Sequence, residues 1–472
     1  MTRRIIKEPN LIEIAAYGTG NMGYGLVSQM LTSYLVFYAT AVLGMPGRLI
    51  GLIFFISVAW DAVSDPLMGY LSDHTRSRFG NRHIYILIGT IAVSITNLIL
   101  WNIDPARSVD SKFLVVLISV LLTKTFLTIF FTPYSALGAE LSNDYNTRSL
   151  VQAIKTAFFL IAIAFASAGF MFVFFAPTPE FPIGQLNPQA YSRIAILTTT
   201  IMLVTGATTY LSTKRFIRSV PVSSESNKEA RLNFLKTMRF CLSQKDYRAI
   251  LLGYLFTNLG SAMISTIGLH TFTYTFMLNN FQIGVVFGLQ FTISILSQPI
   301  WVKLGAKMEK SNAVKLGLKI SIIGCAFLFI ATLFRNQVIP HYQFLFFYAI
   351  AVGFGTGGLF SLPLSMIADT VDVQEAQTGE RNEGIYYGML TFGYKISQSM
   401  AILLLGFVLD IIHFDSTLPV QATSTALLLG IFLSIGSILA MLLASKAYQS
   451  YSLDANAVAH LQAIIKIKHA DH

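Results

Sequence analysis

Two carboxylates, Asp61 and Asp65, stand four residues apart in an otherwise apolar run. On a helix that spacing puts both on one face, a turn apart. At about 6 Å and an effective dielectric near 20, two bare carboxylates repel by roughly 3 kcal/mol. A proton on one of them, or a cation between them, relieves that repulsion. Ser64 lies beside the pair, and Thr128 on another apolar run could add a hydroxyl. Such an oxygen set suits a hard cation such as Na+. The competing reading is an Asp–Lys lattice that only locks helices together. Three lysines, Lys124, Lys155 and Lys395, also interrupt apolar runs. They could pair with the acids or hold an anionic or hydroxylated solute. Lys124 reads equally well as cavity-lining or as a helix-pairing residue. Each ionisable group at mid-bilayer costs about 2.5–3.5 kcal/mol, so all five, at roughly 12–18 kcal/mol, must face water or one another. His270 could relay protons, although a lone histidine in an apolar helix reads first as a hydrogen-bonded packing residue.

The elements that carry these residues are membrane helices. Hydrophobic residues make up 54% of the 472-residue chain and charged residues only 12%, against about 25% charged in soluble domains. A bilayer-crossing helix needs roughly 20 apolar residues, and only helices or closed barrels satisfy their backbones in lipid. The runs Leu114 to Leu122 and Ala426 to Leu443 are too long and too uniformly apolar for barrel strands. Twelve helices are predicted, over 11–43, 47–72, 83–103, 112–137, 148–176, 190–213, 247–278, 282–304, 314–334, 342–368, 383–412 and 421–446. The first is too long for a cleaved signal peptide.

The fold expected is therefore an all-α membrane protein of twelve transmembrane helices in two six-helix bundles. The bundles are assigned to 1–213 and 247–446, with a polar cytoplasmic linker at 214–246 and a cytoplasmic tail at 447–472. The net charge of +10 does not indicate nucleic acid, because the bases sit in short loops. By the positive-inside rule these loops are cytoplasmic, which places both termini in the cytoplasm of a cell membrane. Basic turns follow the second helix of each half, a weak internal repeat of the kind found in two-bundle transporters. In the first of them, Arg76, Arg78 and Arg82, with Asp73 just before, are candidates for a cytoplasmic gate. Cys241 and Cys325 offer neither a disulfide framework nor metal-ligand spacing. No catalytic group, cofactor or resident metal is expected beyond a coupling ion.

Two glycine patterns need reading with their context. Gly18, Gly20 and Gly23 match a dinucleotide-binding spacing, but that motif needs a soluble strand–turn–helix. Within a membrane helix, small residues instead permit close packing. Gly353, Gly355, Gly357 and Gly358, followed by Pro363, suggest either a bend or a second close-packed seam.

The run from Trp60 through Asp61, Ser64, Asp65, Pro66, Gly69 and Asp73 into Arg76, Arg78, Gly80 and Arg82 closely resembles the signature of the glycoside–pentoside–hexuronide:cation symporters. That group lies within the major facilitator superfamily, and the melibiose permease is its best-known member. Tyr17 and Gly18, Pro133 and Tyr134 with Glu140, Arg148 and Lys155, Asp369 and Asp372, and the stretch from Gly379 to Gly384 extend the likeness over roughly 11–446. The resemblance implies a cation site at Asp61, Ser64, Asp65 and Thr128, with Ser64 standing where family members usually have Asn. It also implies a solute cavity lined by Lys155, Thr391 and Lys395; Lys124 is a further solute candidate on its residue type and position alone.

Two departures follow from the same likeness. The sugar-holding acids of the melibiose permease correspond here to Gly25 and Phe131. A cationic cavity without those acids points to an anionic solute, such as a hexuronide, or to a different binding pattern. The function implied is Na+- or H+-coupled symport of a small polar solute by alternating access, in a chain expected to be monomeric. A lysolipid carrier of the same fold is the alternative; a membrane receptor or enzyme is the reading from another class.

Overall fold

The structure is a computed structural model and describes residues 8–75, 77, 80, 82–142, 145–216, 238–360, 362–379 and 383–470. Among the described residues, twelve helices are long and apolar enough to cross a membrane: α1 (Leu11–Val42), α2 (Gly47–Ser72), α3 (His83–Leu100), α4 (Val109–Gly138), α5 (Leu150–Val173), α6 (Pro188–Thr213), α7 (Lys245–Thr275), α8 (Asn280–Met308), α9 (Lys310–Leu333), α10 (Arg335–Thr378), α11 (Glu383–Ile411) and α12 (Thr423–Tyr448). A last helix, α13, spans Ala455–Ala470. Large apolar side chains such as Phe55, Val63, Ile91, Ile118 and Leu211 are exposed. Apolar exposure on this scale belongs to a multi-pass protein whose outer surface meets lipid.

The chain forms two compact units. The first comprises Met1–Ser223 with the short segments Asn279–Gly284 and Leu409–Pro419; the second comprises Ser224–Leu278, Val285–Val408 and Val420–His472. The two short segments lie in what the sequence assigns to the second bundle. They group with the first unit through specific bonds. Asp410 accepts from the backbone N–H of Gly47 at 2.8 Å, and Asn280 donates to the Met171 carbonyl at 2.9 Å.

In the first unit, α1 opens with a capping box in which Asn10 and Glu13 satisfy each other's backbone N–H groups. It then packs between α5 and α6. Its glycines make this possible. A Cβ on Gly18 or Gly25 would strike Ile154, Phe158, Phe159 and Ala162 of α5, and one on Gly20 or Gly23 would strike Thr209 and Thr205 of α6. The dinucleotide-like spacing is thus a packing seam. Tyr17 and Tyr134 stack at 4.6 Å and donate to each other's backbone carbonyls, fastening α1 to α4. Asn97 of α3 donates to Thr198 and Thr199 of α6, which keeps a buried amide satisfied inside the bundle.

In the second unit, α7 packs on α12, and α9 packs on α10 and α12. The glycine run of α10 supplies the close-packed seam. Gly353 abuts the backbone of Gln290 in α8, Gly355 that of Gly317 in α9, and Gly357 abuts Ser294 and Ser297. The helix then passes through a tight turn at Gly358–Phe360 and resumes over Leu362–Thr378. Single π-helical turns interrupt α1 at Met30–Tyr34 and Tyr38–Val42, α5 at Phe165–Gly169 and α7 at Thr271–Thr275. Cys241 and Cys325 are buried free thiols.

Candidate functional site

The helix-2 acids form a ladder with α4. Ser57, Asp61 and Asp65 recur every four residues on α2, so they share one face. Lys124 and Thr128 have the same spacing on α4, which packs against it. The Lys124 ammonium lies 3.1 Å from Asp61 Oδ2 and donates to Ser57 Oγ at 2.8 Å. Thr128 donates to Asp65 Oδ1 at 2.7 Å. The Asp61 side chain is only 3% exposed and that of Lys124 16%. This is a partly buried ion pair, whose attraction is screened far less than at a protein surface. Ser64, also on α2, is buried, and its hydroxyl has no hydrogen-bond partner among the described residues. Two carboxylates and three hydroxyls, those of Ser57, Ser64 and Thr128, therefore belong to this face of α2 and its α4 neighbour. An oxygen-donor set of this composition can hold a hard cation.

A second group lies around Lys155 of α5. Its ammonium donates to Ser135 Oγ at 2.7 Å and sits 5.4 Å from the Phe131 ring centre and 5.6 Å from that of Tyr134. Phe131 is stacked on Tyr24 at 4.1 Å, and Tyr24 in turn lies 6.2 Å from Phe159. A cation beside aromatic faces gains from their quadrupoles, and the flat rings give an apolar wall. Asn21 donates to the Lys155 carbonyl at 3.0 Å, holding α1 against α5 at this level.

Lys124 thus stands with the acids rather than with Phe131 and Lys155, the solute candidates of the same unit. Gly25 is a packing position buried against Phe159 and Ala162; its neighbour Tyr24 carries the aromatic surface. Thr391 and Lys395 lie a turn apart on α11 in the second unit, with the exposed Thr391 hydroxyl bonded to the Tyr387 carbonyl. His270 is fully buried in α7. Of the candidate gate, Arg82 is half-buried just before α3. Arg76 and Arg78 lie outside the described residues, as does the side chain of Asp73.

Sequence reasoning overlooked Ser57 and Tyr24. Ser57 carries a signal in retrospect, one turn before Asp61; Tyr24 carries none beyond adjacency to Gly25. It also overlooked a polar cluster in the second unit. Asp369 of α10 pairs with Lys310 at 2.7 Å and accepts from the Tyr451 hydroxyl at 3.0 Å. Burial, and then the Asp369 carboxylate, push the Tyr451 phenol well above its usual range, so it remains a donor.

The sequence profile of a family described as MFS/sugar transport protein matches residues 16–455. A sodium-dependent lysophosphatidylcholine symporter of Danio rerio is 24% identical over 93% of this chain and 85% of its own length. The inner membrane symporter YicJ of Escherichia coli is 24% identical over 93% of this chain and 92% of its own. Among solved structures, a bacterial homolog of the human lysosomal transporter Spinster superposes with a TM-score of 0.65 at 9% identity. That match covers 94% of this chain and 98% of the other.

Proposed function

The chain belongs to the MFS/sugar transport protein family, and we propose on that footing that it is a cation-coupled symporter of a small polar solute, a sugar, glycoside or hexuronide. It is a transporter and not an enzyme. The observation that carries the coupling is the α2–α4 ladder: Asp61 and Asp65 face Lys124 and Thr128 within membrane-spanning helices. Groups so costly in a bilayer are functional by default. A Na+ or H+ joining the two acids lowers their mutual repulsion and favours the arrangement that holds solute, in a cycle of alternating access. Coupling is reciprocal, so solute tightens cation binding by the same factor.

Lys155 with Phe131 and Tyr24, and Thr391 with Lys395, are the proposed solute contacts. Their lysines favour an anionic solute over a neutral one. A second reading, a lysolipid carrier, draws support from the lysophosphatidylcholine symporter relative and from the same ammonium-and-aromatic wall, which suits a phosphate headgroup on an apolar chain. We place the chain in the cell membrane with both termini in the cytoplasm and Arg82 at a cytoplasmic gate.

The test is uptake into proteoliposomes under imposed Na+ or proton gradients, offered neutral sugars, uronides and lysolipids. Asp61→Asn and Asp65→Asn should each abolish concentrative uptake while the protein still inserts and purifies. Undiminished gradient-driven accumulation in both variants would reject the site. Uptake competed by neutral sugars but not by uronides would reject the anionic solute.

A further inference from the structure

We propose that the Lys124 ammonium is a tethered cation that competes with the coupling ion for Asp61, and so sets the affinity of this site for Na+. The inference rests on the cation reading of Asp61 and Asp65 above and gives Lys124 a role that reading leaves open. Its basis is geometric. Lys124 does not merely lie near the acids: it is 3.1 Å from Asp61 Oδ2, with a second hold on Ser57 at 2.8 Å and the Phe54 ring centre 5.6 Å away. Asp61 is nearly inaccessible to solvent, so its charge must be matched from within the site.

A lysine ammonium and a sodium ion carry the same charge and compete for the same carboxylate oxygens. The lysine has the advantage of attachment. A group on a short tether acts at an effective concentration of roughly millimolar or more, whatever the surrounding salt. While Lys124 is engaged, Asp61 is charge-compensated and an incoming ion must displace the ammonium or share the carboxylate with it. Asp65, whose Oδ1 accepts from Thr128, lies one turn along the same face. An ion that displaces the ammonium from Asp61 releases Lys124, and the released side chain keeps Ser57 as a partner.

The experiment follows the unfolding midpoint of the purified full-length protein as NaCl replaces choline chloride at constant total salt. Lys124→Ala removes the competitor. Lys124→Gln keeps a hydrogen-bond donor near Ser57 and guards against a folding defect in the alanine variant. The half-stabilising Na+ concentration should fall by about tenfold or more in either variant relative to the native chain. Adding Asp61→Asn to Lys124→Gln should erase the gain.

An unchanged Na+ response in both lysine variants overturns the proposal, as does a weaker one, which would make Lys124 a support of the ion site and not its rival. If that happens while Asp65→Asn still abolishes concentrative uptake, only the role of Lys124 falls. If Asp61→Asn and Asp65→Asn leave uptake intact, the cation reading itself falls, and this inference with it.

Discussion

Asp65 and Thr128 illustrate how little side-chain chemistry separates a binding group from a structural one. The threonine hydroxyl donates to Asp65 at 2.7 Å, and a hydrogen bond to a charged group contributes about 1.5–3 kcal/mol. Thr128→Ala should therefore weaken cation-dependent thermal stabilisation by at least about tenfold, with Thr128→Ser restoring most of it; equal response in both would remove Thr128 from the ion site. Around Lys155 the corresponding change is Tyr24→Ala, which strips the ring stacked on Phe131. Solute affinity, read by ligand-dependent unfolding, should drop about tenfold while the Na+ response persists. Loss of both together would mean that Tyr24 only holds the bundle. The charged members of these groups were legible in the sequence because a charge in an apolar run demands explanation. Ser57 and Tyr24 were not, since serine and tyrosine are tolerated in membrane helices without a partner charge.

At the scale of the helix, the decisive feature is how closely α1 approaches α6. Gly20 and Gly23 leave no space for a Cβ opposite Thr209 and Thr205. Gly23→Leu should force α1 outward, and overpacking of this kind costs about 1–3 kcal/mol. A lower unfolding midpoint and reduced expression, with Gly69→Ala as a tolerated control because a Cβ there would meet only Thr132 at 4.0 Å, an ordinary contact, would check it. A Gly23→Leu protein as stable as the native chain would show that the seam can yield. Helix positions were readable from hydropathy, and the twelve spans among the described residues lie near their expected places, except that α10 runs well beyond both of its expected ends. The π-helical turns in α1, α5 and α7 were not readable, because one extra residue in a turn leaves no compositional trace.

At the scale of the molecule, the tail joins the second unit through polar bonds. Ser452 donates to Asp246 through both its backbone N–H and its hydroxyl, Tyr451 to Asp369, and Gln462 to Asp372 at 3.2 Å. Tyr451→Phe should lower stability by about 1 kcal/mol, measured by thermal unfolding. The raised phenol keeps its proton in the folded protein, so this contribution is complete below the unfolded-state pKa of about 10 and fades only as pH rises toward the higher folded value. The difference between native and Tyr451→Phe proteins should accordingly stay constant from pH 6 to about 9; a difference that shrinks within that range would contradict the assignment.

Composition and hydropathy alone determined that this is a twelve-helix membrane protein, because a backbone in lipid has almost no other option. They also singled out Asp61 and Asp65, because an unmatched membrane charge is too costly to be incidental. Which lysine answers which acid was beyond them. Lys124, equally readable as a cavity or a pairing residue, turns to Asp61, while Lys155 turns to Ser135 beside Phe131 and Tyr134. A long flexible side chain reaches several neighbours from one backbone position, so its partner is chosen by the packing of adjacent helices, and that choice exists only in three dimensions.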